Sequence, residues 1–276
     1  MSRLYVVGTP IGNLNDFSPR ALQTLRDVDF IAAEDTRVTL KLLNRFNIKT
    51  PMVSYHEHNR QLRGTEILTR LQNGETCALV TDAGMPAISD PGEDLVRLVR
   101  ENGIAVESVP EPTAFATAMA VSGMPSGRFT FEGFLSMNKR VRTAHLDALR
   151  TETRTMIFYE APHKLPATLK DMLAVFGDRE IALCRELTKL HEQVVRTTLS
   201  KAVAYTAEHR PVGEYVVIVQ GLKELPPEHT YTLEDALAIA KEHMKNGMAA
   251  AAAAKEAAAQ TGFKKGDIYK QVVETK

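Results

Sequence analysis

The chain has 276 residues, 44% apolar and 25% charged, enough hydrophobic material for one large or two ordinary domains and far from the disordered or collagen-like classes. Its 34 basic and 34 acidic residues cancel, so no whole-molecule field draws it to nucleic acid, and any such binding has to come from a local patch. The two cysteines, Cys77 and Cys184, sit in apolar runs ("TCALV", "IALCR") with no companions at metal-ligand spacing; they read as buried free thiols, and no metal site is expected.

The opening "MSRLYVVG" lacks signal-peptide architecture, and no apolar run reaches the ~18 residues of a membrane helix, so a cytoplasmic protein without a membrane partner is expected. Short β-type runs then alternate with amphipathic ones. "LYVVG" precedes "SPRALQTLRDV", where Ser18 can cap a helix and Pro19 takes its first position. "FIAAED" leads to "TRVTLKLLNRF", "MVSYHE" to "NRQLRGTEILTRLQNG", "CALVTD" to "GEDLVRLVRENG", and "AVESVPE" to "TAFATAMAVSG". This alternation over residues 1–122 predicts an α/β domain with a mostly parallel sheet covered by helices.

"GMPSGR", from Gly123, breaks the pattern and marks a domain boundary. Over residues 123–222 the strand-like runs "FTFEGF", "RTMIFYEA", "EIALCREL", "EQVVRTTL" and "EYVVIVQG" are separated by helix patterns only in part, so a second α/β domain with a mixed sheet is expected. Two α/β layers in tandem leave a cleft between them. "KELPPEH", Lys223 to His229, reads as a linker, and residues 223–276 as a small helical appendage. In it Thr232 is placed to cap and Gly247 to stop a first helix, with two shorter helices after it. Lys264 and Lys265 near a turn are what a helix-turn-helix contact with RNA would use; the plainer reading is a packed helical unit.

Three Gly- and Pro-rich loops follow strand-like runs: "VGTPIGNLNDFS", "TDAGMPAISDPG" and "VPEPTAFATA". The first contains neither G-x-G-x-x-G nor G-x-x-x-x-G-K-[ST], so dinucleotide or P-loop phosphate cradling is not supported. The second spends a rigid, side-chain-poor stretch on two aspartates, which marks a shaped ligand loop with Asp90 at the start of the next helix. Polar clusters also stand at predicted strand ends: "AEDTR" with Glu34 and Asp35, "HEHN" with His56 and His58, and "YEAPHK" with Glu160 and His163. Carboxyl ends of strands in open α/β sheets face the ligand crevice, although each cluster alone is equally compatible with helix capping or a surface pair.

Taken together, "VGTPIGNL-DFSPRA", "AAEDTR-T-LL", "H-HN", "TDAG-P-ISDPG", "FEGFL", "IFYEAPHK", "RELTKLHE" and "GEYV-IV-G", in order from Leu4 to Gly221, resemble the ribosomal RNA small subunit methyltransferase I family, a branch of the tetrapyrrole (corrin/porphyrin) methylases. The resemblance implies two tandem α/β domains of the tetrapyrrole methylase type with the cofactor cleft between them. It implies S-adenosylmethionine as cofactor and 2′-O-methylation of a cytidine in the decoding region of 16S rRNA. The implied partners are 16S rRNA or the small ribosomal subunit, with no DNA, in a homodimer. By position, Pro10, Asp82, Ala83, Gly84, Met85, Pro86, Ile88, Ser89, Thr113 and Ala114 would line the methionine and ribose portions, and Tyr159, Leu187, Gly213 and Glu214 would frame the adenine. Two positions depart from the family: Glu111 stands where relatives carry glycine, and Met85 where many carry threonine. A positive φ at Glu111 would cost about 1 kcal/mol or more.

A 2′-hydroxyl is a weak nucleophile and calls for a base or a nearby cation. His163, Glu160 and Asp35 are the candidate bases, with Arg37 and Lys164 suited to phosphate. "KRVRTAHLDALRTETR" offers Lys139, Arg140 and Arg142 as further RNA contacts, or else a solvated helix face. A porphyrinoid C-methyltransferase and a non-catalytic ribosome-assembly module are the competing readings.

Overall fold

The computed structural model describes residues 2–223 and 231–274, which fall into two units, Met1–Leu222 and Lys223–Lys276. Of the linker expected at Lys223 to His229, only Lys223 lies within the described residues.

In the first unit, β1 (Arg3–Val7), β2 (Phe30–Ala33), β3 (Met52–Ser54), β4 (Thr76–Val80) and β5 (Ala105–Val109) pair in parallel in the order β3-β2-β4-β1-β5. The unbroken apolar runs of β2 and β4 are buried on both faces, as strands covered by helices on two sides must be. On one face α1 (Pro19–Asp27) and α2 (Thr36–Arg45) pack Leu25 and Leu43 against Ile31, Ala78 and Val80. On the other, α3 (Arg60–Gln72) and α4 (Glu93–Glu101) pack Leu71 and Leu95 against Phe30, Leu79 and Leu4. α1 begins as its sequence predicts, with Ser18 Oγ accepting from Ala21 N at 3.1 Å and Pro19 in the first turn.

β1 and β4 are neighbours, yet the helices that follow them, α1 and α4, leave to opposite faces. This is the topological switch point at which open α/β sheets hold ligands. Here the first loop is bridged to the second: Thr9 N donates to Gly84 O at 2.9 Å and Gly84 N to Thr9 O at 3.0 Å.

The other sheet of this unit joins β6 (Phe129–Phe134), β7 (Thr155–Glu160), β8 (Glu180–Arg185), β9 (Gln193–Thr198) and β10 (Tyr215–Val219) in the order β6-β7-β10-β8-β9. β6 and β7 are parallel and all other pairs antiparallel, the mixed sheet expected from the sequence. Helices α6 (Lys139–Ala148), α7 (Leu165–Phe176) and α8 (Leu199–Glu208) bury Leu146, Leu169 and Leu199 on one face. The opposite face is covered by α5 (Ala114–Ser122), whose Ala118 and Met119 pack on Ile157, Cys184 and Ile218. Although α5 precedes residue 123, it packs with the second sheet, and its approach from β5 carries the third loop from one sheet to the other.

The second unit is a three-helix cluster of α9 (Leu233–Lys245), α10 (Ala250–Thr261) and α11 (Lys265–Glu274) around Ala236, Ala240, Ala254, Ala257, Ile268 and Val272. Its alanine faces let backbones approach closely. Thr232 and Asp235 form a reciprocal capping box, and Gly247 and Gly262 end α9 and α10 at φ 91° and 77°. Among the described residues no helix is long and apolar enough to cross a membrane.

Candidate functional site

A cleft of about 620 Å³ lies between the two sheets of the first unit, within the size range of small-molecule sites. Both of its walls are loops bent by residues other than glycine in the left-handed region. In the second loop Ala87 (φ 68°) and Ser89 (φ 65°) flank Ile88; after β8, Glu186 (φ 51°) and Thr188 (φ 65°) flank Leu187. Each pair turns its apolar central residue to the cleft. Such conformations cost roughly 1–3 kcal/mol apiece and persist where the surroundings impose them, typically at binding sites.

The first wall is acidic. Glu34, Asp82 and Asp90 all line the cleft, and the backbone ties two of them together: Asp82 N donates to Glu34 Oε2 at 3.4 Å. Burial raises the pKa of each. Asp90, further pressed by Glu34 and Asp82, is pushed up to about 7. The opposite wall is largely apolar, with Glu214 held by Lys189 and the buried Glu160 by hydrogen bonds from Thr168 and Ala161. Tyr159, Leu187, Cys184 and Val216 line it, with Phe134 at the rim, 58% exposed. Tyr159 Oη accepts from Phe115 N at 3.0 Å, tying β7 to the start of α5, and burial lifts its pKa to about 12. Glu186 accepts from Lys189 Nζ at 3.0 Å and Glu214 N at 3.0 Å, while Lys189 also reaches Glu214 Oε2 at 2.8 Å.

Of the expected cofactor residues, Asp82, Ala83, Gly84, Met85, Ile88, Ser89, Thr113, Ala114, Tyr159, Leu187 and Glu214 line this cleft. Three expected there do not. Pro10 faces a smaller cavity on the other side of the first loop, and Ile11 takes its place in the cleft. Pro86, within the second loop, is buried. Gly213 is outside the lining; at φ 84°, a Cβ there would stand 2.6 Å from Glu186 Oε1.

The candidate bases separate in the same way. His163 stands exposed at the cleft. Glu160 lines it too, but is 4% exposed and already accepts from Thr168 Oγ1 at 2.6 Å and Ala161 N at 2.9 Å. Asp35 lies outside the lining; it caps α2, and the Arg37 guanidinium and amide hold its carboxyl at about 2, too acidic to serve as a base near neutrality. The sequence puts Asp90 at a helix start. Instead Gly92 occupies the cap of α4, and the αL turns at Ala87 and Ser89 return Asp90 to the cleft.

Among the expected RNA contacts, Arg37 is ion-paired with Asp35 at 2.7 Å, and Arg142 is bound to Asp171 at 2.7 Å with its side chain 15% exposed. Lys139 and Arg140 are exposed at the start of α6, and Lys164 stands at the N-terminal boundary of α7 without a side-chain capping bond. Both departures from the resemblance pack on Gly8, whose Cβ would meet Glu111 Cβ at 2.5 Å and Met85 Sδ at 2.7 Å. Glu111 does not take a positive φ; its carboxylate accepts from Ser18 N at 3.1 Å, placing an anion at the start of α1 and clasping the first loop to the third. Among the described residues no group of His, Cys, Asp or Glu is arranged to hold a metal.

Comparison with known proteins gives this geometry a context. The family model described as Tetrapyrrole (Corrin/Porphyrin) Methylases matches residues 3–203. A ribosomal RNA small subunit methyltransferase I from Synechocystis sp. is 46% identical over 99% of this chain and 98% of its own. One from Escherichia coli O157:H7 is 43% identical over 99% and 95%, and one from Thermotoga maritima 48% identical over 80% and 99%. Among solved structures, a diphthine synthase (TM-score 0.61, 12% identity, 79% of this chain and 89% of that one) and a cobalt precorrin-4 methyltransferase (0.59, 17%, 79% and 94%) share the fold.

Proposed function

The chain belongs to the tetrapyrrole (corrin/porphyrin) methylases and, within them, to the ribosomal RNA small subunit methyltransferase I family; from that membership and the cleft we propose that it 2′-O-methylates the ribose of a cytidine in the decoding region of 16S rRNA. It is an S-adenosylmethionine-dependent methyltransferase. The observation that carries the reading is the pairing of an unneutralised carboxylate wall with an apolar, aromatic one across one cleft. These residues fit a ligand that joins cationic groups to a flat base.

S-adenosylmethionine, when bound, supplies an electrophilic methyl group carried on a sulfonium. Asp82, Asp90 and Glu34 would complement its positive charge, and Tyr159, Leu187 and Val216 would pack its base. The loops hold these groups before the ligand arrives, so positioning supplies much of the rate. His163, exposed at the cleft, would take the proton from the ribose hydroxyl, whereas Glu160 is already engaged by Thr168. The same reading takes the chain as a cytoplasmic homodimer that acts on neither DNA nor a membrane; sedimentation at the mass of two chains checks the first part.

The test is to incubate the protein with labelled cofactor and small subunits from a strain lacking this methylation, then map the product. A 2′-O-methylcytidine in the decoding region is expected. Transfer to a porphyrinoid instead, or cofactor binding with no transfer to rRNA, would overturn the assignment. His163→Ala is expected to lose at least tenfold in turnover while cofactor affinity stays within about twofold.

A further inference from the structure

We propose that the outer face of α2, and the cavity beside it, grips the RNA strand flanking the methylated nucleotide, with Lys41 and Arg45 on its phosphates. The inference rests on the rRNA reading above and assigns it a surface.

Residues 36–56 contain four cations, Arg37, Lys41, Arg45 and Lys49, and no acid, in a chain whose charges cancel overall. Three of these stand at i, i+4 and i+8 on α2. Like charges one turn apart destabilise a helix, so such a stripe is costly unless a polyanion lies against it. Asp35 engages Arg37, but Lys41 and Arg45 have no ion-pair or hydrogen-bond partner among the described residues. Both line a cavity of about 260 Å³ together with Thr9, Pro10, Leu14, Val38 and Asp82. Four helical residues rise about 6 Å, a spacing that lets two cations meet successive phosphates of an extended strand. Leu14 and Val38, 42% and 38% exposed, offer apolar surface to a base.

Location connects this surface to the chemistry. Asp82 lines both this cavity and the cofactor cleft, and the first loop, bridged to the second at Thr9 and Gly84, gives Ile11 to the cleft and Pro10 to this cavity. By contrast the arginines of α6 and its following turn are largely spent: Arg142 on Asp171, Arg150 on Asp147 and Arg154 on Glu152.

Binding of small subunits is measured across about 50–200 mM salt for the full chain, Lys41→Ala/Arg45→Ala, Lys41→Arg/Arg45→Lys and Lys139→Ala/Arg140→Ala. The first variant is expected to lose two ionic contacts, lowering the slope of log K against log salt by about 1.4–1.8 and the affinity at the lowest salt at least tenfold. Its S-adenosylmethionine affinity should stay within about twofold, and the charge-preserving swap should keep the full slope. An unchanged slope in Lys41→Ala/Arg45→Ala, an equal loss in the α6 pair, or loss of cofactor binding along with RNA binding overturns the proposal. Failure of the unaltered chain to bind subunits at any salt would instead sink the rRNA reading.

Discussion

The two walls of the cleft are alike in backbone and unlike in charge. Ala87-Ile88-Ser89 and Glu186-Leu187-Thr188 use the same device, a pair of left-handed residues turning an apolar side chain inward. Around the first, three carboxylates stand with their pKa values raised; around the second, Glu186 and Glu214 share one lysine. Burial opposes Glu186, yet the bonds from Lys189 and the Glu214 amide leave its carboxyl below the ordinary range. Equal geometry with opposite electrostatics supports the proposal that the walls hold different parts of one ligand: a cation on the first side, a flat neutral group on the second.

The shared geometry is the easiest part to break and should yield the largest effects. Gly92→Ala would bring a Cβ to 2.9 Å from Leu79 Cδ2 and 3.1 Å from Ala87 N, at φ 148°. Gly213→Ala would bring one within 2.7 Å of the Glu186 side chain at φ 84°. Strain and overpacking together put each at about 2–3 kcal/mol, a melting temperature lower by roughly 5–10 °C. Cofactor affinity, measured by titration calorimetry, should fall at least tenfold in both. A loss confined to one would show that the walls do not share their construction.

Much of this frame is legible in the sequence, and the reason is punctuation. Apolar runs without alternation, ended by Gly and Pro, announce parallel strands and the three loops after β1, β4 and β5. The left-handed turns are not legible, because Ala87, Ser89, Glu186 and Thr188 carry no mark of a conformation that only their surroundings impose. Asp90 is the example: Asp-Pro-Gly has the composition of a helix start, while Gly92 takes the cap and two αL residues precede the carboxylate. Distance in sequence hides the rest. Ser18 N finds Glu111 93 positions away, and Arg142 finds Asp171 29 positions away, so an arginine that looks free in sequence is paired in the fold.

The charge difference should show next, as a contrast of two conservative changes. Asp90→Asn removes a carboxylate whose pKa sits at about 7. At pH 8 it should weaken S-adenosylmethionine binding by about tenfold, or 1.4 kcal/mol, and at pH 6 by less than twofold, since Asp90 is then largely protonated in the unaltered chain. S-adenosylhomocysteine, with a neutral thioether, should respond less. Stability moves the other way. A carboxyl raised in the folded state stabilises it fully below about pH 4 and progressively less as pH rises through about 7, so Asp90→Asn should be more stable than the parent at pH 8 and equal to it near pH 4. Glu214→Gln, 79% exposed and already held by Lys189, should change cofactor affinity by less than about twofold at either pH. A larger effect there than at Asp90 would reverse the assignment of the walls.

The smallest effect concerns the strain itself. Thr188 is the hardest case for its conformation: β-branched, at φ 65°, with a buried hydroxyl that has no hydrogen-bond partner. Thr188→Gly removes about 1 kcal/mol of backbone strain and about 1 kcal/mol for the orphaned hydroxyl, against roughly 0.5–1 kcal/mol of added freedom in the unfolded chain. The net expectation is a gain near 1 kcal/mol, read as a higher denaturant midpoint with an unchanged slope. Ala87→Gly lacks the hydroxyl and the branching, so its gain should be a few tenths at most. Function should not follow stability. The Thr188 side chain reaches the first loop, where its Oγ1 would lie 2.9 Å from a Cβ on Gly12, so removing it should loosen Leu187 and cost about two- to fivefold in cofactor affinity. If Thr188→Gly gains both stability and affinity, the left-handed turn on the second wall is a relic of packing, and the likeness of the two walls has no functional meaning.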